Sequence, residues 1–174
     1  MYHPNPDNFV ISELVPPEEV TRWGEGAIML INPLAAISLQ QIRNRHGRMR
    51  LNSKRLNFTQ RGFRTEKMWK PKKGLTGMKA ELDRLQRFAA NRSAHLRGDA
   101  FDADMLDTTV EAVIEDIREN PDLYPFIHFV EVGQSWLHFD VRNQSGITFW
   151  HPEKGIVDFV EQCEINWSLI APGI

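Results

Sequence analysis

From Trp136 to Val141 the chain reads Trp-Leu-His-Phe-Asp-Val, an alternation of period two. Successive side chains of a strand point to opposite faces, so Leu137, Phe139 and Val141 share one face and Trp136, His138 and Asp140 the other. Such a strand is stable only in a sheet whose apolar face is covered, and it leaves a histidine and a carboxylate on the opposite face. Phe126 to Val132 is also β-rich and is joined to it by Gly133-Gln134, and Ile147 to Trp150 reads as a third strand. Met49, Leu51, Leu56 and Phe58 fit short strands upstream.

Helical signals surround these strands. Pro17 can open a helical turn. Asn32 is a good N-cap with Pro33 at the first helical position, the apolar residues Leu34, Ile37, Leu39 and Ile42 follow, and His46-Gly47 supplies the stop. Met78, Leu82, Leu85 and Ala89 keep a 3.6-residue period to about Ala90, in a narrow apolar stripe. Thr108-x-x-Glu111 forms a capping box ahead of Val110, Val113, Ile114 and Ile117, whose stripe should face the sheet, and Asn120-Pro121 ends that helix. The expected class is therefore α+β, a small antiparallel sheet flanked by helices. With 174 residues and 41% apolar content, one domain spanning 1–174 is expected.

Residues 41–97 hold 17 of the 21 Lys and Arg and only three acids, and the rest of the chain holds four bases and 20 acids. Such a segment can meet an anionic polymer, or the two parts can offset each other across one surface. No nucleic-acid docking motif accompanies it, so nucleic acid is not expected as a partner. No apolar stretch approaches the ~18 residues of a spanning helix, and the first residues carry no export signal, so no membrane partner and no signal-directed export are expected. The single cysteine, Cys163, excludes an internal disulfide and a thiolate metal cluster. A metal ion would have to be held by His and carboxylate.

Ser93-Ala-His-Leu-Arg-Gly-Asp-Ala-Phe-Asp102 fits the pattern S-x-H-x-x-G-x-A-x-D. Neutral imidazole and carboxylate are both good zinc ligands, Gly98 permits a turn that folds His95 back toward Asp102, and Ala100 lets the strand pack closely. A lone strand histidine such as His138 ordinarily has a structural role, but paired with the first motif it is the candidate third ligand. His128, of opposite strand parity to Phe129, should point away from the metal, and His3, His46 and His151 lack partners at ligand spacing and read as surface residues.

These two motifs resemble the zinc D-alanyl-D-alanine carboxypeptidases and L-alanyl-D-glutamate endopeptidases of bacteria and phages, whose fold is shared with the Hedgehog signalling domain. The resemblance implies that His95, Asp102 and His138 hold one Zn2+ with a fourth position left for water. Phe9-x-x-Ser12-Glu13-Leu14, the helix before Gly47, and Arg61-Gly-Phe-Arg64-Thr look like further landmarks, the last resembling the family's S-G-Y-R motif. Coverage is roughly residues 9–150, with 151–174 as a C-terminal extension. Arg64 matches the family arginine that contacts the substrate's carbonyl or carboxylate, a task suited to its planar donor fork.

Two positions depart from the family pattern: Ser135 stands where the catalytic acid is usual, and Arg61 where Ser is usual. A phage subgroup similarly carries E-x-G-x-x-W-x-H, which draws attention to Glu131. If Gly133-Gln134 closes a two-residue hairpin, Val132 faces Ser135, Glu131 faces Trp136 and Phe129 faces His138, so Glu131 shares a face with His138 at the diagonal, about 7 Å between backbones. Glu131 is thus the candidate general base and acid. Asp140 can orient an imidazole or stand as an exposed acid, and Ser93, two residues before His95, is a candidate to support the ligands.

The expected function is hydrolysis of an amide bond in the peptide stem of bacterial peptidoglycan by a phage-encoded zinc peptidase. It would stay in the host cytoplasm until lysis or travel on the virion. The alternative is a zinc-stabilised virion structural or binding domain with little catalysis. In that case the tail 151–174, with Ile156, Val157, Phe159, Val160, Trp167, Leu169 and Ile170, contacts other virion proteins. Otherwise the tail packs on its own core.

Overall fold

The computed structural model describes residues 8–53, 56, 59–142 and 144–162. His3, Phe58, Cys163 and the tail residues Trp167, Leu169 and Ile170 lie outside the described residues. The chain forms α1 (Ile11–Leu14), α2 (Pro17–Trp23), α3 (Pro33–His46), β1 (Met49–Arg50), α4 (Gly77–Ala90), β2 (Ala100–Met105), α5 (Val110–Glu119), β3 (Phe129–Glu131), β4 (Leu137–Asp140), β5 (Gly146–His151) and β6 (Gly155–Glu161). This is an α+β arrangement around one sheet of six strands in the order β1-β2-β4-β3-β5-β6. All neighbours are antiparallel except β3 and β5.

The sheet is larger than the sequence reading expected and contains a parallel pair. A parallel pair needs a crossover, and here β4 serves as one: the chain leaves β3, runs back as β4 on one side, and returns past β3 to lie on its other side. The Gln144 carboxamide fastens that return, donating to the His128 carbonyl and, at 3.0 Å, to Thr148 Oγ1.

The expected two-residue hairpin does not form. Glu131 pairs with His138, Val130 with Phe139 and Phe129 with Asp140, and the loop between β3 and β4 runs from Val132 to Trp136. The physical reason is that the Val132 N–H donates to the Trp150 carbonyl at 2.8 Å, drawing Val132 away from β4 toward β5. The shift is by an even number of residues, so each side chain keeps its expected face. Glu131 moves from the diagonal to directly opposite His138.

Asn32 caps α3 by accepting from the Leu34 N–H at 2.9 Å, and Gly47, at φ +85°, ends it. Its buried side is Ala35, Ala36, Ser38, Leu39 and Ile42. Leu34, in the first turn, is 38% exposed. The cap of α5 is Thr109 rather than Thr108: its hydroxyl accepts from the Ala112 N–H at 3.1 Å. Val110, Val113, Ile114 and Ile117 are buried as the stripe requires. They join Leu137, Phe139 and Phe149 from the sheet, Leu39 and Ile42 from α3, and Leu14 in one hydrophobic cluster. Of the short strands expected upstream, Met49–Arg50 is the one that forms among the described residues, with Leu51 buried beyond it and Leu56 exposed.

The start of the C-terminal extension builds the sheet edge. β6 pairs along β5, and Val160 packs on the core while Ile156, Val157 and Phe159 remain exposed. Among the described residues no helix is long and apolar enough to cross a membrane.

Candidate metal centre

The sheet places two of the three candidate ligands. Asp102 of β2 lies directly opposite His138 of β4, so both side chains stand on the same face, and His138 Nδ1 is 2.7 Å from Asp102 Oδ1. The third ligand comes from the 3-10 turn Ala94–Arg97 just before β2. Gly98 reverses the chain there at φ +72°, and a Cβ at this position would lie 2.0 Å from the Leu30 carbonyl oxygen. Left-handed backbone and lack of space both require glycine.

His95 is buried and held by its ring. Its Nδ1 lies 2.8 Å from the Gly62 carbonyl, which can only accept, so Nδ1 carries the hydrogen and the lone pair sits on Nε2. Among the described residues that buried Nε2 has no hydrogen-bond partner, and it faces Asp102 Oδ1 at 3.4 Å. A buried nitrogen lone pair without a partner is costly, and a cation there would satisfy it. Ligand atoms of His95, Asp102 and His138 all lie within 4.8 Å of one another, and the group can hold a metal ion.

The second oxygen of Asp102 is taken. Arg64 Nη2 donates to Oδ2, while Arg64 Nε donates to the Gln60 carbonyl at 2.8 Å. The backbone ties the same loop to the ligands: Arg64 N–H donates to the His95 carbonyl and Asp102 N–H to the Arg61 carbonyl. Arg61 itself reaches Asp104 at 2.5 Å. The arginine that departs from the family pattern is therefore neutralised by an acid two residues beyond a ligand.

Electrostatics follow from this packing. Burial raises the Asp102 carboxyl, but the hydrogen bonds and charges of His138 and His95 overcome that and hold it far below the usual carboxylate range. Burial lowers His95, and the neighbouring Asp102 carboxylate only partly offsets this. His138 is lowered by burial too, yet Asp102 and Asp140 together push it up to about 9. Without a metal, His138 is thus the imidazole that holds a proton at neutral pH.

Asp140 is not an exposed acid. It is fully buried, its Oδ2 lies 3.9 Å from His138 Nε2, and Arg142 grips it with Nε at 2.8 Å. The Arg142 guanidinium also stacks 3.8 Å over the Phe129 ring, whose edge meets His138. His138 therefore has Asp102 on one ring nitrogen and a braced carboxylate facing the other. Ser93 has a lesser place: its carbonyl accepts from Leu96 N–H in the 3-10 turn, and among the described residues its hydroxyl bonds to none of the three ligands.

Glu131 is half-buried, directly opposite His138 on the ligand face, and no hydrogen bond or ion pair engages its carboxylate among the described residues. Opposed residues of an antiparallel pair have Cβ atoms about 5 Å apart. A cleft of about 310 Å³ opens onto Asp102, walled by Gln60, Arg61, Arg64, Met68 and Trp136.

Two histidines read as surface residues are not. His46 Nε2 sits 2.8 Å from Asp116 and 2.9 Å from the Tyr124 hydroxyl in a half-buried cluster joining α3 to α5. His151 fills the space beside Gly133, where a Cβ would come within 2.6 Å of its ring, and accepts from the Glu153 N–H. His128 has its backbone engaged with Asp140 and Thr148, and its parity is opposite to that of the ligand face, as expected. Sequence reasoning passed over Arg142 and the Gly62 carbonyl. The spacing of two between Asp140 and Arg142 signalled the first, and nothing in the sequence signalled a backbone oxygen.

No protein-family model, curated protein or solved structure matches the chain.

Proposed function

We propose that this chain is a zinc-dependent peptidase that cleaves an amide bond in the peptide stem of bacterial peptidoglycan, with the Hedgehog/DD-peptidase fold and a phage origin. One observation carries the reading: two sequence motifs that resemble that family converge on a group of three candidate ligands whose His95 Nε2 is buried, oriented and without a partner among the described residues. Two imidazoles and one carboxylate, with no thiolate, form a donor set of the kind catalytic zinc uses. When bound, zinc would polarise the scissile carbonyl and acidify a water.

The protein's own groups do the rest. Glu131, unengaged and opposite His138, takes a proton from the attacking water and delivers it to the leaving amine nitrogen, so that the acyl carbon gains a hydroxyl as the C–N bond breaks. Arg64 fixes Asp102 through one donor and presents others to the cleft, where they hold a substrate carbonyl or carboxylate. Asp140, braced by Arg142, keeps the His138 ring oriented.

The test is metal analysis together with digestion of sacculi or a synthetic stem peptide. The expected result is about one zinc per chain and hydrolysis that ends when the metal is chelated. Glu131→Gln should retain zinc and lower turnover by at least ~100-fold; unchanged turnover would assign the base to another residue. A second reading, a zinc-stabilised virion domain, draws on Ser135 standing where the family's catalytic acid is usual. Zinc without hydrolysis would favour it.

A further inference from the structure

We propose that α4 and the lysine-rich loop before it form an anchor that lies on an anionic phospholipid surface. The apolar residues Met78, Leu82, Leu85 and Ala89 recur at helical spacing, a pattern that ordinarily marks the side of a helix turned to its core. In this protein the helix is mounted the other way round. None of its residues is buried, and Met78, Leu82 and Leu85 are 89%, 56% and 41% exposed.

Its polar side makes the attachment to the body. Arg84 Nη1 donates to the Glu66 carbonyl at 3.0 Å, Arg87 Nη1 donates to the Lys70 carbonyl at 3.1 Å, and Asp83 accepts from the Lys72 N–H at 2.8 Å. At about 100° per residue these three positions centre opposite the Met78–Leu82–Leu85–Ala89 stripe. Phe88, at the margin, packs edge-on against Trp69. The loop thus grips the charged side of α4 and leaves the apolar side facing outward.

The charge beside the stripe indicates what it meets. Lys70, Lys72, Lys73 and Lys79 are exposed, and none of them forms an ion pair among the described residues. An apolar stripe with unpaired cations beside it matches the boundary of an anionic bilayer, where acyl chains take the leucines and headgroup phosphates take the lysines. Nucleic acid would use the lysines and leave the stripe in water. The sequence expectation of no membrane partner rested on the lack of a spanning segment and does not bear on a helix lying in the interface. The short turn Glu66–Met68 links this anchor to the cleft, which Met68 lines, so docking would set the cleft beside the lipid surface. The inference is independent of the metal and of the peptidase reading.

Co-sedimentation of the full chain with vesicles tests it. Binding is expected to vesicles of phosphatidylglycerol and phosphatidylcholine in equal parts, to weaken in high salt, and to be at least about tenfold weaker on phosphatidylcholine alone. The double variant Leu82→Glu/Leu85→Glu should weaken binding at least about tenfold, because two leucines no longer enter the acyl region. It should keep wild-type circular dichroism and metal content, since neither side chain is buried. The proposal is overturned if the wild type ignores anionic vesicles or if the double variant binds them equally well. Self-association lost in the double variant without vesicle binding, or DNA binding indifferent to the leucines, would likewise overturn it by assigning the surface to a second copy or to nucleic acid.

Discussion

The basic segment of the chain contains two positively charged stretches of opposite behaviour. Between Arg45 and Arg64 the described arginines meet aspartates outside the basic segment: Arg45 with Asp116 at 2.9 Å, Arg48 with Asp107 at 2.8 Å, Arg50 with Asp104 at 3.0 Å, Arg61 with the same Asp104, and Arg64 with Asp102. Between Lys67 and Lys79 the lysines face solvent, and among the described residues only Lys67 approaches an acid, Glu18 at 3.8 Å. The difference comes from the apolar residues among the charges. Ile42, Met49 and Leu51 are buried and bring their stretch against the sheet and α5, where the aspartates are. The apolar residues of α4 reach no core, and Lys70, Lys72, Lys73 and Lys79 find no counter-charge among the described residues. Charge pairing here follows burial.

Changes in the first stretch should therefore matter far more than changes in the second. The largest effect is expected at its end, where the arginine–aspartate pattern merges with the candidate metal group. Asp102→Asn removes a ligand charge and the partner of Arg64, so zinc affinity measured by competition with a chelator should fall beyond the ~10–100-fold typical of losing an outer partner. Retained stoichiometric zinc at low free metal would break the proposed ligand set.

Next in size is a pH effect. The proton on His138 in the metal-free site must leave for that nitrogen to bind a cation, and His138 is held up to about 9. Below that value apparent affinity should rise with pH by close to tenfold per unit, and flatten above it. Titration calorimetry at neutral pH in buffers of different ionisation enthalpy should show about one proton released per metal bound. A flat profile between pH 6 and 8 would contradict the pairing of His138 with Asp102.

The smallest effects sharpen the comparison itself. Asp116→Asn leaves Arg45, His46 and Tyr124 around a neutral amide in a half-buried place, and should cost about 2 kcal/mol in denaturant unfolding. Lys72→Glu with Lys73→Glu should change stability by less than about 0.5 kcal/mol. Equal costs for the two would show that the second stretch has partners in solution.

Much of the site was legible because its signals are local. His95, Gly98 and Asp102 lie within one decapeptide, and the alternation around His138 assigned faces that no even register shift can change. Glu131 kept its face for that reason although the two-residue hairpin did not form. The burial of Asp140, the grip of Arg142 and the use of the Gly62 carbonyl were not legible, because each depends on a contact with a distant or backbone atom.

The sequence by itself determined where α3 and α5 run, which face of β4 is apolar, and which three residues group as candidate ligands, since periodicity and capping act over a few residues. Only the tertiary structure decided that β3 runs parallel to β5, that Glu131 stands directly opposite His138, and that α4 turns its charged side inward. Those outcomes depend on which distant backbone and side-chain groups compete for the same partners, and that competition is resolved only when the whole sheet has formed.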